Sequence, residues 1–391
     1  MVPVIDLTKE YGIVLEGGGA RGAYQVGAWR ALAEAGVKIS AVAGTSVGAL
    51  NGALICMGDI DKAEHLWREV SYSQVMDVDD VLMSQIFMGT ADPIETMKEM
   101  MRLLKDGGAD ITPLRNLIEE NVDEEYIRKS PVAFYLLTFS ISELKELDLG
   151  IDEIPPGMLN DLLIASAYLP VFKTERLHGK VYMDGGMFNN VPLPSLVNRD
   201  YKDIIMIRIF GPGREKKVKI PEDTTVYSIE PRVHLGNILD FDHRKSVRNM
   251  KIGYYDAKRL LYGLKGMIYY IEQTQEECYY LKQLVNLKPE TLHFVSEAYK
   301  LDKDPALLHR NLFEVILPVV ASELKLSKNW TYDELYLTMM EATAKLFRIQ
   351  KYKIYTDTEL LELIRSRAGK LDTLEEIPVF VYLILDIPGE E

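Results

Sequence analysis

The segment from Ile39 to Gly58 reads ISAVAGTSVGALNGALICMG and contains no charged residue. At its centre, GTSVG places Ser46 between Gly44 and Gly48 with the spacing of a nucleophile elbow. The residues before the serine alternate like a short buried strand, and those after it repeat with the period of a helix. We therefore expect a strand, a tight turn and a helix. The Ser46 hydroxyl would lie at the positive end of the helix, with the two glycines keeping side chains out of the turn.

Two other interpretations compete with the elbow. An uncharged segment of this length could span a membrane, but its four glycines, with serine, threonine and asparagine, dilute its hydrophobicity too far. A GxSxG pattern also occurs by chance in glycine-rich turns. The choice therefore depends on partner residues elsewhere in the chain.

The composition predicts a globular protein with one large domain and a smaller one, or two domains. The chain has 391 residues, of which 47% are hydrophobic and 27% are charged. Its formal net charge of -14 argues against a nucleic-acid-binding protein, and against steady adhesion to an anionic membrane by charge alone. The two cysteines, Cys56 and Cys278, suggest neither a disulfide framework nor a cysteine metal site.

The first ten residues lack the basic and then apolar order of a signal peptide. Apolar runs such as 131–139 and 378–385 are too short to span a membrane. We therefore expect a soluble cytoplasmic protein, with peripheral contact at a membrane left open.

A second glycine-rich turn, EGGGARG at 16–22, lies between a predicted strand and a predicted helix. Gly17, Gly19 and Gly22 satisfy the dinucleotide-binding pattern GxGxxG, but the second strand ends without the acidic residue that would hold a ribose. Consecutive glycines also let backbone N–H groups approach a substrate oxygen closely, as an oxyanion hole requires. The sequence favours this second role, in which Arg21 would hold the loop or add positive charge.

The later part of the first domain contains a strong predicted strand at 131–140 and an edge strand at 143–150. Asp184 follows a short strand and precedes Gly185 and Gly186, so a turn positions it; alone, such an aspartate commonly caps its own turn. From Pro231 onward helical periodicity dominates. We predict a catalytic domain over 1–231 and a helical domain of unassigned role over 232–391.

Three motifs in this order, GGGARG at 17–22, GTSVG at 44–48 and DGG at 184–186, resemble those of the patatin-like phospholipase family. ASAYLP at 165–170 resembles a fourth block of that family. The ordered set is far more specific than any one motif, and it covers the predicted first domain only. One departure is Glu16, where the plant members carry an aspartate.

The resemblance implies an α/β fold, a patatin-like three-layer sandwich with a mostly parallel central sheet, and a Ser–Asp dyad. By position, Ser46 is the nucleophile, Asp184 is the base, and the amides of the glycine loop are the oxyanion donors, namely Gly17, Gly18 and Gly19. The supporting positions are Arg21, Gly22, Gly44, Gly48, Gly185 and Gly186. Neither a metal nor a cofactor is implied.

The histidines agree with a dyad, because none of the six has the spacing of a metal site or a triad. His178, shortly before Asp184, leaves a triad open. Without a histidine, Asp184 must accept the serine proton itself. Its usual pKa of about 3.9 makes it a weak base unless burial raises that value.

The predicted reaction is attack of Ser46 on an acyl ester of a lipid, of phospholipase A or lysophospholipase type, followed by hydrolysis of the acyl-enzyme. Two alternatives remain: acyl transfer to an alcohol by the same intermediate, and a non-catalytic lipid-binding or scaffold protein. The expected partner is a lipid or acyl-ester substrate and not a nucleic acid. Transient contact with a membrane surface and a homo-oligomer stay open.

A predicted helix within 77–105 carries Met97, Met100, Met101 and Leu104 on one face. Methionine adapts to irregular apolar ligands, so this face could be a flexible cover over an acyl-chain site. Packing against the core is the more ordinary use of such a face, and it is the prediction.

Overall fold

A mostly parallel sheet forms the centre of the N-terminal part of the chain. The computed structural model describes residues 1–169, 171–173, 175–369 and 376–388, so Pro170 of the ASAYLP segment lies outside it. The strands of this sheet are β1 (Glu10–Leu15), β2 (Lys38–Thr45), β3 (Ala133–Ser140), β4 (Lys145–Gly150), β5 (Tyr182–Asp184), β6 (Asp203–Ile207) and β7 (Thr225–Ile229).

The strands run in the order β4-β3-β2-β1-β6-β7, and β5 pairs with β3 beside this path. The pairings among β1, β2, β3, β6 and β7 are parallel, whereas β4 and β5 are antiparallel to β3. Every residue of β1 after the first is buried, as expected for a strand in a parallel sheet covered on both faces.

Helices follow the strands and cover both faces of the sheet. They are α1 (Ala23–Glu34), α2 (Val47–Met57), α3 (Ile60–Glu69), α4 (Asp80–Met88), α5 (Pro93–Asp106), α6 (Thr112–Asn121), α7 (Glu124–Lys129), α8 (Leu159–Ser166), α9 (Gly186–Asn189), α10 (Leu193–Val197) and α11 (His243–Tyr262). Short 3-10 turns occur at Gly19–Gly22 and Ile151–Glu153.

Neighbouring residues of a strand face opposite sides of the sheet, and each side packs on its own helices. On one side, α2 lies so close that a Cβ on Gly52 would be 3.0 Å from a methyl of Val42. On the other, Leu196 of α10 clusters with Val14 and Ala43. This arrangement confirms the predicted three-layer sandwich. It also shows that the uncharged segment is β2 and α2 and not a membrane span. Within the described residues, no helix has the length and hydropathy to cross a membrane.

The chain divides into two compact units, Met1–Leu261 and Tyr262–Glu391. The sequence-based division at 231/232 placed α11 in the helical part, whereas the structure places it in the first unit. Glycines on both helices explain this packing: a Cβ on Gly27 would be 1.9 Å from the carbonyl oxygen of Met250, and a Cβ on Gly253 1.9 Å from that of Tyr24. The backbones of α1 and α11 are therefore in close contact.

The second unit is mostly helical, and its core is a single large apolar cluster that includes Tyr269, Tyr280 and Tyr336. A short parallel pair, β8 (Tyr270–Glu272) and β9 (Ile354–Thr356), was not predicted. The helices are α12 (Glu277–Val285), α13 (Pro289–Ala298), α14 (Leu308–Asn311), α15 (Leu317–Glu323), α16 (Tyr332–Leu346), α17 (Asp357–Arg365) and α18 (Val379–Leu385), with a π-helical turn at Leu312–Ile316.

The methionine-rich helix α5 differs from its prediction. Its apolar side chains were expected to pack in the core, but Met97, Met100, Met101 and Leu104 are 62–74% exposed. The prediction of core packing was therefore wrong. The helical period was correct, but periodicity identifies an apolar face without showing what covers it.

Candidate active site

The register of β3 brings the predicted nucleophile and base together. Thr45, the last residue of β2, lies opposite Leu137, and Asp184, the last residue of β5, lies opposite the next residue, Thr138. Because β4 occupies the other edge of β3, β5 must share an edge with β2. The two strands therefore end facing each other, and Ser46 follows β2 directly at this junction.

Ser46 has the strained backbone of a nucleophile elbow, with φ 55° and ψ -128°. It lies at the N-terminus of α2, where the helix dipole favours negative charge. Its amide donates a 2.9 Å hydrogen bond to Ser166 Oγ, and that hydroxyl donates to the carbonyl of Leu137. Ser166 thus fixes the elbow to β3, a role that the sequence did not reveal.

Backbone atoms come so close to both elbow positions that only glycine fits there. A Cβ on Gly44 would lie 2.2 Å from the carbonyl oxygen of Gly48, and a Cβ on Gly48 would lie 2.3 Å from that of Leu15. No side chain fits at either position unless the backbone moves. The predicted supporting role of both glycines is therefore steric.

Asp184 is buried, with 3% of its surface exposed. Its Oδ1 accepts a 2.7 Å hydrogen bond from the amide of Gly186, whereas Oδ2 has no hydrogen-bond partner among the described residues. A Cβ on Gly185 would be 2.6 Å from the carbonyl oxygen of Leu137, so this turn lies directly on β3.

Burial raises the pKa of Asp184 to about 6, and interactions with the Ser46 hydroxyl and the Gly186 amide oppose the rise. The Ser46 hydroxyl is close enough to lower the pKa of Asp184, but it forms no hydrogen bond with Asp184 Oδ2. Such contacts commonly tighten when substrate binds. The site therefore holds a carboxylate of raised basicity beside a serine hydroxyl.

A histidine triad through His178 is not formed. The His178 ring bonds Asp161 at 2.6 Å in an exposed position. In the described part of the chain, which includes all six histidines, none hydrogen-bonds to Asp184.

The glycine loop offers two free amides, not the three that were predicted. The Gly17 amide donates to the carbonyl of Asn190 at 3.1 Å and is therefore occupied. The amides of Gly18 and Gly19 have no hydrogen-bond partner within the residues that the structure describes. A Cβ on Gly22 would be 2.5 Å from a methyl of Val47, so the end of the loop packs on α2.

Asn190 joins the aspartate turn to the glycine loop. Its buried side-chain Nδ2 donates to the backbone carbonyls of Gly17 at 3.0 Å and Gly211 at 3.2 Å. The backbone carbonyl of Asn190 in turn accepts a hydrogen bond from the Gly17 amide. A polar side chain six residues after Asp184 gave no signal of this contact, because its partners lie far away in sequence.

Glu16 and Arg21 hold the other side of the loop. The buried carboxylate of Glu16 accepts the amides of Ile209 at 2.8 Å and Phe210 at 3.0 Å. Arg21 donates to the carbonyls of the same two residues, and to that of Gly236 at 2.9 Å. Of its two predicted roles, the contacts of Arg21 are those of a residue that holds the loop.

An apolar cavity begins at Ser46 and Gly19. It encloses about 790 Å³ of empty space, including its open mouth, and all its walls belong to the first unit. The walls come mainly from α2, α3 and α6 and from the segments around Phe172 and Phe241. The polar wall residue Asn51 donates to Gly22 and Gln25 and accepts from Trp67, so its amide is satisfied. The cavity therefore suits an apolar group that reaches the serine.

Comparison with known proteins gives one family model and several relatives that resemble parts of this chain. A family model described as patatin-like phospholipase matches residues 13–197. The rat protein "Patatin-like phospholipase domain-containing protein 7" is 27% identical over 203 residues, which cover 50% of this chain and 13% of the rat protein. "Lysophospholipase nte1" of Aspergillus terreus is 59% identical over 46 residues, 12% of this chain and 3% of that protein.

The chain thus spans only a small part of the length of these curated relatives. Among solved structures, VipD from Legionella pneumophila gives a TM-score of 0.42 with 14% identity, covering 96% of this chain and 90% of that chain.

Proposed function

Because residues 13–197 match the family model described as patatin-like phospholipase, we infer that the chain is a serine hydrolase of lipid acyl esters. One observation carries this proposal: the ends of β2 and β5 put a strained serine beside a buried carboxylate of raised pKa, at the mouth of an apolar cavity. A purely structural serine would need neither the strained turn nor the cavity.

In the proposed acylation step, Ser46 Oγ attacks the ester carbonyl carbon while its proton passes to the Asp184 carboxylate. The carbonyl oxygen becomes negative and accepts hydrogen bonds from the amides of Gly18 and Gly19. When the ester C–O bond breaks, the leaving alcohol takes the proton from Asp184. The acyl group stays bound to Ser46.

In the proposed deacylation step, a water molecule attacks the same carbonyl carbon and gives its proton to Asp184. The bond to Ser46 Oγ breaks, the proton returns to that oxygen, and the fatty acid leaves. Asp184 alone thus serves both half-reactions, first accepting and then returning a proton.

The raised pKa of Asp184 makes it a better proton acceptor than an exposed aspartate. Each oxyanion donor is worth about 3 kcal/mol of transition-state stabilisation by comparison with other hydrolases. Two glycine amides and the dipole of α2 would therefore supply a large share of the rate.

The cavity supports a substrate with an apolar acyl chain, because its wall is almost wholly apolar and the amides of Asn51 and Asn121 hydrogen-bond within the protein. The polar headgroup would then remain outside the mouth. This arrangement suits reactions of the phospholipase A or lysophospholipase type, and one relative is named a lysophospholipase.

The test is fatty-acid release from phosphatidylcholine and lysophosphatidylcholine by the wild type, Ser46→Ala and Asp184→Asn, with circular dichroism to confirm folding. We expect both variants to lose activity by about 10³-fold or more. Release by Ser46→Ala at the wild-type rate would exclude the proposed nucleophile. Release by Asp184→Asn at that rate would exclude the proposed base.

A further inference from the structure

The largest group of exposed apolar side chains lies on α5 and includes none of the proposed catalytic residues. No other helix in the described chain exposes as many large apolar residues as α5. We define the α5 patch as the exposed apolar side chains of α5 together with two from α4. Its members are Val81, Met88, Ile94, Met97, Met100, Met101 and Leu104. Each is 62–74% exposed, and so many exposed apolar side chains on two neighbouring helices are typical of an interaction site.

The charges of α5 are sorted around this patch. Lys98 follows Ile94 by four residues, and Lys105 follows Met101 by four, so both lysines border the apolar stripe. Both are exposed, and neither forms an ion pair with any described residue. Free positive charge therefore lies at the edge of the patch.

The remaining charges of α5 lie away from the stripe. Arg102 pairs with Glu99 at 2.7 Å and with Asp77 at 3.2 Å, so the acidic groups there are partly neutralised. This sorting is that of a helix lying in a lipid interface, with apolar side chains facing the acyl layer and lysines reaching the phosphates.

The helix that carries the patch is connected to the cavity wall at two points outside the patch. Arg102 also bonds the carbonyl of Asp77, two residues after Val75, a residue of the cavity wall. Beyond the C-terminus of α5, Ala109 forms a bridge with Phe172, which belongs to the same wall. The helix α5 therefore adjoins segments that also form the cavity wall.

We propose that the α5 patch docks on a zwitterionic phospholipid surface, with its methionines inserted between headgroups and Lys98 and Lys105 on phosphate oxygens. The net charge of -14 disfavours a strongly anionic surface. Flexible methionines suit disordered acyl chains better than a fixed protein partner. The benefit to catalysis rests on the proposed function, but the docking itself does not.

The experiment measures binding to phosphatidylcholine vesicles by flotation, in a Ser46→Ala background so that no lipid is consumed. The patch variant carries Met97→Glu and Met101→Glu. The control carries Leu144→Glu and Ile220→Glu, which change charge equally at exposed apolar residues elsewhere. We expect the patch variant to lose about tenfold or more in vesicle binding and the control to keep it. Lys98→Gln with Lys105→Gln should give a smaller loss.

Three results would overturn the docking proposal. They are equal binding by the patch variant and the control, no binding by the Ser46→Ala parent, and a patch variant that converts a dimer to a monomer without losing vesicle binding. The last result would make the patch a contact between copies of the chain.

A water-soluble short-chain ester separates docking from catalysis. With Ser46 intact, the patch variant should hydrolyse this ester as fast as the wild type. If neither hydrolyses it while vesicle binding responds as expected, the proposed function fails and the docking is supported.

Discussion

Asp184 is the residue on which the proposed chemistry depends most. Its ordinary role would be to cap its own turn, and it does accept the amide of Gly186. Burial and an unpartnered Oδ2 set it apart, because both make ionisation costly. Such a cost at a functional site is typical of a proton-transfer group.

The pH dependence of hydrolysis follows from this carboxyl group. Only the ionised form accepts a proton, so kcat/KM should fall as the pH drops through the pKa of Asp184, about 6. The measurement is a pH–rate profile with a water-soluble ester. A profile that stays flat down to about pH 4 would contradict a buried base.

Asp184→Asn should make the protein more stable at neutral pH. In the wild type, stability from the raised pKa is complete below about pH 4 and is lost as the pH rises through about 6. A rise in the pKa from 3.8 to about 6 corresponds to a loss of about 3 kcal/mol in the free energy of unfolding at neutral pH. The uncharged side chain of the asparagine variant does not incur this loss. The free energy of unfolding, measured with urea, should be higher for Asp184→Asn than for the wild type at pH 7 but not near pH 4. A variant less stable than the wild type at pH 7 would argue against this.

At the scale of elements, the site is the meeting point of three loops. These are the elbow after β2, the turn after β5 and the glycine loop after β1. Ser166 joins the elbow to β3, and Asn190 joins the turn after β5 to the glycine loop. Each hydrogen bond here links residues that are distant in the chain. The glycine loop is thus held from one side by Asn190 and from the other by Glu16 and Arg21.

Asn190→Ala should impair catalysis by releasing the glycine loop. It removes the bonds to the carbonyls of Gly17 and Gly211 and costs about 1–3 kcal/mol of stability. Because Asn190 only positions the donors, kcat should fall by at least about tenfold with little change in KM. The exposed Asn198→Ala is the matched control. An Asn190 variant that loses stability but keeps kcat would limit this residue to a structural role.

Local patterns predicted the elements well, because the information for a strand, an elbow or a helix lies within one short segment. The alternation before Ser46 and the glycines around it were enough to place β2 and α2. The contacts of Asn190 and Ser166 could not be predicted, since a polar residue carries no sign of a distant partner. The Gly17 amide was misassigned for the same reason, because its acceptor is Asn190.

For the whole molecule, all the proposed chemistry lies within the first compact unit. Every wall of the cavity and every proposed catalytic residue precedes Tyr262. The helical period after Pro231 suggested an earlier boundary, but periodicity does not reveal which neighbour a helix packs on. The close backbone contact of α1 and α11 favours a boundary after α11.

Truncation tests this division. A fragment of residues 1–261 should fold and hydrolyse a water-soluble ester, whereas a fragment of residues 1–231 loses α11 and exposes the buried side of α1. We expect the shorter fragment to aggregate or to unfold at lower temperature, as measured by calorimetry and size-exclusion chromatography. Equal stability of the two fragments would favour the boundary at 231/232.

The most direct test of the account is to identify the residue that a fluorophosphonate labels, by peptide mass spectrometry. The account predicts one adduct on the peptide that contains Ser46, none in Ser46→Ala, and slower labelling in Asp184→Asn. An adduct on another serine that persists in Ser46→Ala, or no adduct in the folded wild type, would contradict it.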